Sequence, residues 1–278
     1  MKFSTVLDKT YSREEIFALM RILNGLSFIL YCLFVLAPNW NEFFSVSGFV
    51  VPDVFGSFPG SWLFSIWEHD GLKLGLFVLT IVLYFCYAIG FYARIAQLLL
   101  IPLQLGFHNA NPFINHEPQQ LNNLLLLLLA VAPIEERWTI RKIRLPSFLS
   151  RTSGKQDLYI LLLMQVYFGV YYFFAGLKKL PDPNWLNGMA VAKLTAWDLL
   201  GRENFLTAIC QNKWVSTFLT FFTLVFEMGF LAISFTRLKR FLIPLGLSFH
   251  LGISLSLDIG MFFWSMMMWY PLFLKREE

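Results

Sequence analysis

LYILLLMQVYFGVYYFFAGL, residues 158–177, runs for 20 positions without a charged side chain and is followed at once by Lys178, Lys179 and the loop LPDPNWLNG, residues 180–188. Coiled at about 1.5 Å per residue, such a run crosses the roughly 30 Å hydrocarbon core of a bilayer. A helix satisfies its own backbone polar groups there, so a chain carrying several such runs is a helical membrane bundle. Composition points the same way. With 57% hydrophobic residues, 14% charged residues and 31 phenylalanines among 278, there is too little polar surface to clothe a soluble globule of this size.

Working outward, further apolar runs occupy 16–36, 74–91, 95–107, 121–134, 214–235, 241–257 and 259–274. Together with 158–177 they predict an all-α integral membrane protein, a bundle of about eight transmembrane helices with both termini on the cytoplasmic side. The runs at 95–107 and 121–134 are short for a span and must recruit polar flanks, tilt or be shielded by neighbours. Residues 186–200 are interrupted by Lys193 and Asp198 and are expected to form a short interfacial helix. The opening MKFSTVLDKTYSREE carries three acidic residues, and no small-residue cleavage pattern follows the first run, so that helix is expected to be retained. Cys32, Cys86 and Cys210 are odd in number and far apart, which argues against a disulfide framework or a cysteine metal site. The net charge of +4 does not imply nucleic acid, because the basic residues are not gathered with aromatics on one soluble face.

Charge also orients the bundle. Under the eight-span model, sixteen of the 22 lysines and arginines fall on one face, in the N-terminal segment, at Arg94, in the 135–156 loop, at the 237–240 turn and in the tail. That face is expected to be cytoplasmic by the positive-inside rule. Lys178 and Lys179 lie on the opposite face, where they serve no topological purpose, although a lysine can snorkel at either interface.

Several polar residues are expected on that outer face or below it. The 108–120 loop, HNANPFINHEPQQ, brings Asn115 and His116, which suit either a polar ligand or an ordinary Asn-Pro turn. His250 lies inside its span, about 12 Å of helix rise from Asp258, where an imidazole needs a partner, either a ligand or a neighbouring helix. Glu227 sits inside another span and reads equally as a protonated packing residue, the partner of a buried cation or part of a proton path. Arg21 and Asn24 share one face of the first helix and read as interfacial anchoring with a packing role. Met266, Met267 and Met268, with Trp264, Trp269 and Tyr270, either line a greasy cavity or pack.

The tract AGLKKL with the turn through Trp185 and Gly188 resembles the corresponding segment of the vitamin K-dependent gamma-carboxylase family and its bacterial relatives, the HTTM (horizontally transferred transmembrane domain) proteins. INHEPQQLNNLLLLLL, around Asn115 and His116, is similar to the family's Asn-His segment. SFHLGISLSLDIGMFFWSMMMWYPLFL, from Ser248, is similar to its His-containing helix and the Ile-Gly-Met-Phe helix that follows. The likeness covers roughly residues 15–275. It implies Lys179 as the catalytic base that deprotonates reduced vitamin K or menaquinone, with Asn115, His116, His250 and Lys178 around the quinone head group. Oxygen then converts the quinol anion to a strong base, and carbon dioxide adds to a peptide glutamate if carboxylation is retained. A lysine acts as a base only as the free amine, a form that desolvation and a neighbouring cation favour.

The carboxylases also carry a long lumenal region after the last helix, whereas this sequence ends four residues after Leu274. Residues 1–278 are therefore expected to be a single HTTM-like transmembrane domain without a C-terminal lumenal substrate domain. The expected partners are the lipid bilayer, a hydrophobic quinone and, beyond these, a secreted peptide and a separate soluble partner protein. In a bacterial inner membrane the active face is expected to be periplasmic or extracellular. The alternative expectation is a non-catalytic membrane partner that binds a lipid, quinone or peptide during maturation or export of a secreted peptide. A transporter has less support, since no inverted repeat or series of intramembrane charges is evident.

Overall fold

The computed structural model describes residues 10–44, 70–110, 117–142 and 154–276, and among these the regular structure is helical throughout. Among the described residues, five helical segments are long and apolar enough to cross a membrane: Arg13–Leu36, Gly71–Ile89, Lys155–Lys179, Lys213–Ser234 and Arg237–Ser256. The protein is a multi-pass integral membrane protein of the all-α class. Its helices divide into two compact units.

One unit holds α1 (Arg13–Tyr31), which continues as a π-helical turn through Leu36, α2 (Trp40–Phe44), α3 (Asp70–Ile89), α4 (Ala93–Ala110) and α5 (Glu117–Leu129). Helix α1 begins with a capping box: the Ser12 hydroxyl accepts from the Glu15 amide at 3.2 Å, and the Glu15 carboxylate accepts from the Ser12 amide at 2.9 Å. Gly25 brings α1 against α3 so closely that a Cβ there would lie 2.8 Å from the Cβ of Ala88. Phe28 stacks on Tyr84 beside this contact at 4.2 Å.

Two arginines close the far end of the unit. Arg94 donates to the carbonyls of Ala130 and Ala132, both at 2.5 Å, in the turns just after α5, where its positive charge complements the C-terminal end of that helix. Arg21 is fully buried, and its guanidinium donates to Ile134 O, Trp138 O and Thr139 Oγ1. The anchoring expected of Arg21 is thus a clamp on the loop after α5, and Asn24 donates to Asn122 on α5 itself.

The other unit contains nearly all of α6 (Gly154–Lys179), followed by α7 (Pro183–Leu186), α8 (Ala190–Thr195), α9 (Phe205–Cys210), α10 (Lys213–Ser234), α11 (Leu242–Ser256) and the C-terminal stretch from Trp269. Helices α6 and α10 touch at small residues. A Cβ on Gly169 would strike Leu231, and one on Gly176 would meet Met228 and Glu227 at 2.8 and 3.2 Å. Of the interfacial helix expected over 186–200 only the six residues of α8 form; α7 ends at Leu186, and Gly188 at φ 78° lies between the two.

The run expected as an eighth span, 259–274, is broken. It forms a six-residue helix, α12 (Phe262–Met267), and then a 3₁₀ turn at Tyr270–Phe273. Gly260, at φ 62°, precedes the first piece, and Pro271, which has no amide hydrogen, prevents continuation into a full helix. Tyr270, Leu272 and Phe273 are buried rather than spread along a lipid-facing surface. Phe168 stands at their centre, stacked on Trp269 at 5.2 Å and edge-on to Phe230 at 5.5 Å.

Candidate functional site

Helix α6 carries Lys179 in its last turn, seven residues beyond Tyr172 and three beyond Gly176, all on the face turned to α10. Because Gly176 lets α10 approach, Glu227 comes level with the lysine. The Glu227 carboxylate accepts from Lys179 Nζ through both oxygens, at 2.6 and 2.9 Å, and the amine also donates to the Ala175 carbonyl at 3.2 Å. The lysine side chain is 24% exposed and the glutamate 9%. The structure thus pairs Glu227 with a half-buried cation.

The loop that follows holds an indole against this pair. Asp182 caps α7 by accepting from the Asn184 amide at 2.9 Å, and the turn brings Trp185 under Lys179, with Nζ 5.3 Å from the ring centre. The loop is stitched to α10 by two buried hydroxyls. Ser216 and Thr220 donate to the Gly188 carbonyl at 3.0 and 3.3 Å and accept from the amides of Ala192 and Val191 in the first turn of α8. Gly188 has a positive φ, and a Cβ there would press on Thr217 at 2.9 Å, so glycine is required at this crossing.

Beneath Trp185 lies a cavity of about 520 Å³, walled by α8, α9, α10, α11 and Phe262. Its lining is dominated by Leu, Ile, Val and Phe side chains, and its only charged groups among the described residues are Lys179 and Glu227. Thr195, Thr223, Ser248 and Ser256 add hydroxyls. A pocket of this size and polarity suits a hydrophobic ligand with one or two polar atoms presented to the amine and carboxylate.

The other expected site residues fall differently. Lys178 is exposed and takes no part in the lining. His250 is 2% exposed and stands behind the cavity wall, with Phe249 and Phe262 each 5.1 Å from its ring. Its Nε2 is hydrogen-bonded to the Tyr172 hydroxyl, which in turn meets the Tyr270 hydroxyl at 2.7 Å. Its Nδ1 has no hydrogen-bond partner among the described residues. His250 and Lys179 are therefore linked through α6, by way of Tyr172, rather than by facing one ligand across the cavity. Asn115 and His116 lie outside the described residues.

Sequence reading missed the roles of Tyr172, Ser216 and Thr220. A signal existed on α10, where Ser216, Thr220, Thr223, Glu227 and Ser234 recur at three-, four- and seven-residue spacing and make a buried polar stripe on an otherwise apolar helix.

A family model described as HTTM domain matches residues 12–277. No curated protein and no solved structure matches the chain.

Proposed function

The chain belongs to the HTTM family, and from that premise we propose that it is a membrane-embedded, gamma-carboxylase-like enzyme that oxidises a reduced quinone at its outer face with Lys179 as base. The HTTM domain is the membrane domain of vitamin K-dependent carboxylase-like proteins. The observation that carries the reading is the Lys179–Glu227 pair, the charged groups of an otherwise apolar cavity of about 520 Å³. Reduced vitamin K or menaquinone matches that cavity in chemistry, since a greasy ring and tail would occupy the hydrocarbon lining while a hydroxyl meets the amine. When bound, the quinol supplies, with oxygen, the strong base that the chain itself lacks.

The residues of the chain have narrower tasks. Lys179 takes the hydroxyl proton, and Trp185 lays its ring face against the amine. The apolar walls exclude water, which strengthens every electrostatic interaction at the amine. Coupling to peptide glutamate carboxylation, or to another peptide modification, is part of the proposal. It would draw on carbon dioxide, a secreted peptide and a soluble partner protein.

Purified protein in lipid, given reduced menaquinone and oxygen, is expected to yield the quinone epoxide, and Lys179→Ala to lower the yield at least about a hundredfold. Equal yields from the two proteins would refute the base role. A second reading is favoured by the ion pair itself, which satisfies the lysine without any substrate. In that reading the chain is a non-catalytic membrane partner that binds a lipid, quinone or peptide, and Lys179→Ala retains both binding and biological activity.

A further inference from the structure

We infer that Glu227 is the proton store for Lys179, accepting the lysine's proton so that the amine can act as a base inside the cavity. The inference rests on the reading of Lys179 as a base. As an ammonium, Lys179 has three N–H bonds, and the structure gives it three acceptors: both Glu227 oxygens and the Ala175 carbonyl. An amine so satisfied has no lone pair to offer. It becomes a base only by giving up one of those protons, and the two routes differ in chemistry. The Ala175 carbonyl is far too weak a base to keep a proton. The Glu227 carboxylate sits at 2.6 Å, already aligned on the N–H.

Among the described residues the cavity lining offers no rival carboxylate. Glu227 is buried on the polar stripe of α10, and the described lining around it holds no other charge. In such a medium two neutral groups are desolvated far more cheaply than an ammonium and a carboxylate. The charge balance also closes. A proton passes from Nζ to the carboxylate, breaking an N–H bond, forming an O–H bond and leaving a neutral amine beside a neutral acid. The amine then takes the hydroxyl proton of a bound hydroquinone, so that N–H forms, O–H breaks and the electron pair stays on the hydroquinone oxygen. The cavity now holds one ammonium, one oxyanion and a neutral carboxylic acid. At no step does it hold an unpaired charge. A lysine without Glu227 would have to send its proton out to water before each turnover.

The test uses the full-length protein in nanodiscs under argon with a naphthohydroquinone as probe, so that no oxidation follows. Ultraviolet absorbance reads the ionised hydroquinone, and infrared difference spectra read the carbonyl stretch of a protonated carboxylic acid. In the wild type both signals are expected to rise together, in equal amounts. Glu227→Gln keeps an acceptor for Nζ but cannot store a proton, and is expected to bind the probe yet lower the ionised fraction roughly tenfold or more. Lys179→Arg keeps the ion pair, but a guanidinium does not surrender its proton, so it is expected to bind the probe and show neither signal.

Ionisation in Glu227→Gln within about twofold of wild type would overturn the role of Glu227 while leaving Lys179 as base. A wild type that ionises the probe without an acid carbonyl band would overturn that role in the same way. A wild type that binds the probe and ionises none of it would overturn both readings together.

Discussion

At Lys179 the neighbours set the residue apart from an ordinary solvated lysine. Its ammonium is half-buried, faces one carboxylate and one indole, and sits at the rim of a greasy cavity. Lys178, one residue earlier, turns about 100° away on the helix and remains exposed. Glu227 depends on that pairing more than Lys179 does, because it is the less exposed partner. Lys179→Met is expected to lower stability by roughly 1–3 kcal/mol, since a buried carboxylate is left without its cation. Adding Glu227→Leu is expected to recover most of that loss, and thermal unfolding of the two variants in nanodiscs checks it. A double variant no more stable than Lys179→Met would mean that the pair is not coupled. In the sequence the lysine pair stands out as the end of a 20-residue uncharged run, and family likeness singles out Lys179. Its partner was visible only as an intramembrane glutamate of open role, because nothing in a linear string says that Gly176 lets α10 approach to within reach.

Between helices, glycines control what the site can contain. Gly176 sets the α6–α10 crossing, and Gly246 on α11 leaves room for the Tyr270 hydroxyl, with which an added Cβ would collide. That hydroxyl anchors the Tyr270–Tyr172–His250 chain behind the cavity wall. Gly246→Ala is therefore expected to destabilise the fold by about 1–3 kcal/mol, the usual cost of overpacking. Tyr270→Leu in the same background removes the hydroxyl together with the ring carbons that would lie within 2.5 Å of the added Cβ, and is expected to restore part of the loss. No recovery in the double variant would place the strain elsewhere. This arrangement was not legible beforehand. Hydropathy reports an unbroken apolar run over 259–274, and it cannot separate a lipid-facing span from buried aromatics folded around Phe168. Gly260 and Pro271 are the local signs of the break.

For the whole molecule, composition and run length were enough to establish a helical membrane protein, because a bilayer leaves so few ways to satisfy a backbone. Most span positions followed for the same reason, and the runs at 95–107 and 121–134 were recognisably short. Charge counting was less transparent, since it treats every arginine as a marker of orientation. Arg21 and Arg94 also have structural tasks, each donating to carbonyls after or at the end of α5. The most direct measurement of the central claim is a structure of the protein in lipid nanodiscs with a naphthohydroquinone bound. The expected result places a ring hydroxyl within hydrogen-bond distance of Lys179 Nζ, with the ring in the cavity between Trp185 and Phe262. A ring bound away from Lys179, or no bound ring at saturating probe, would contradict it.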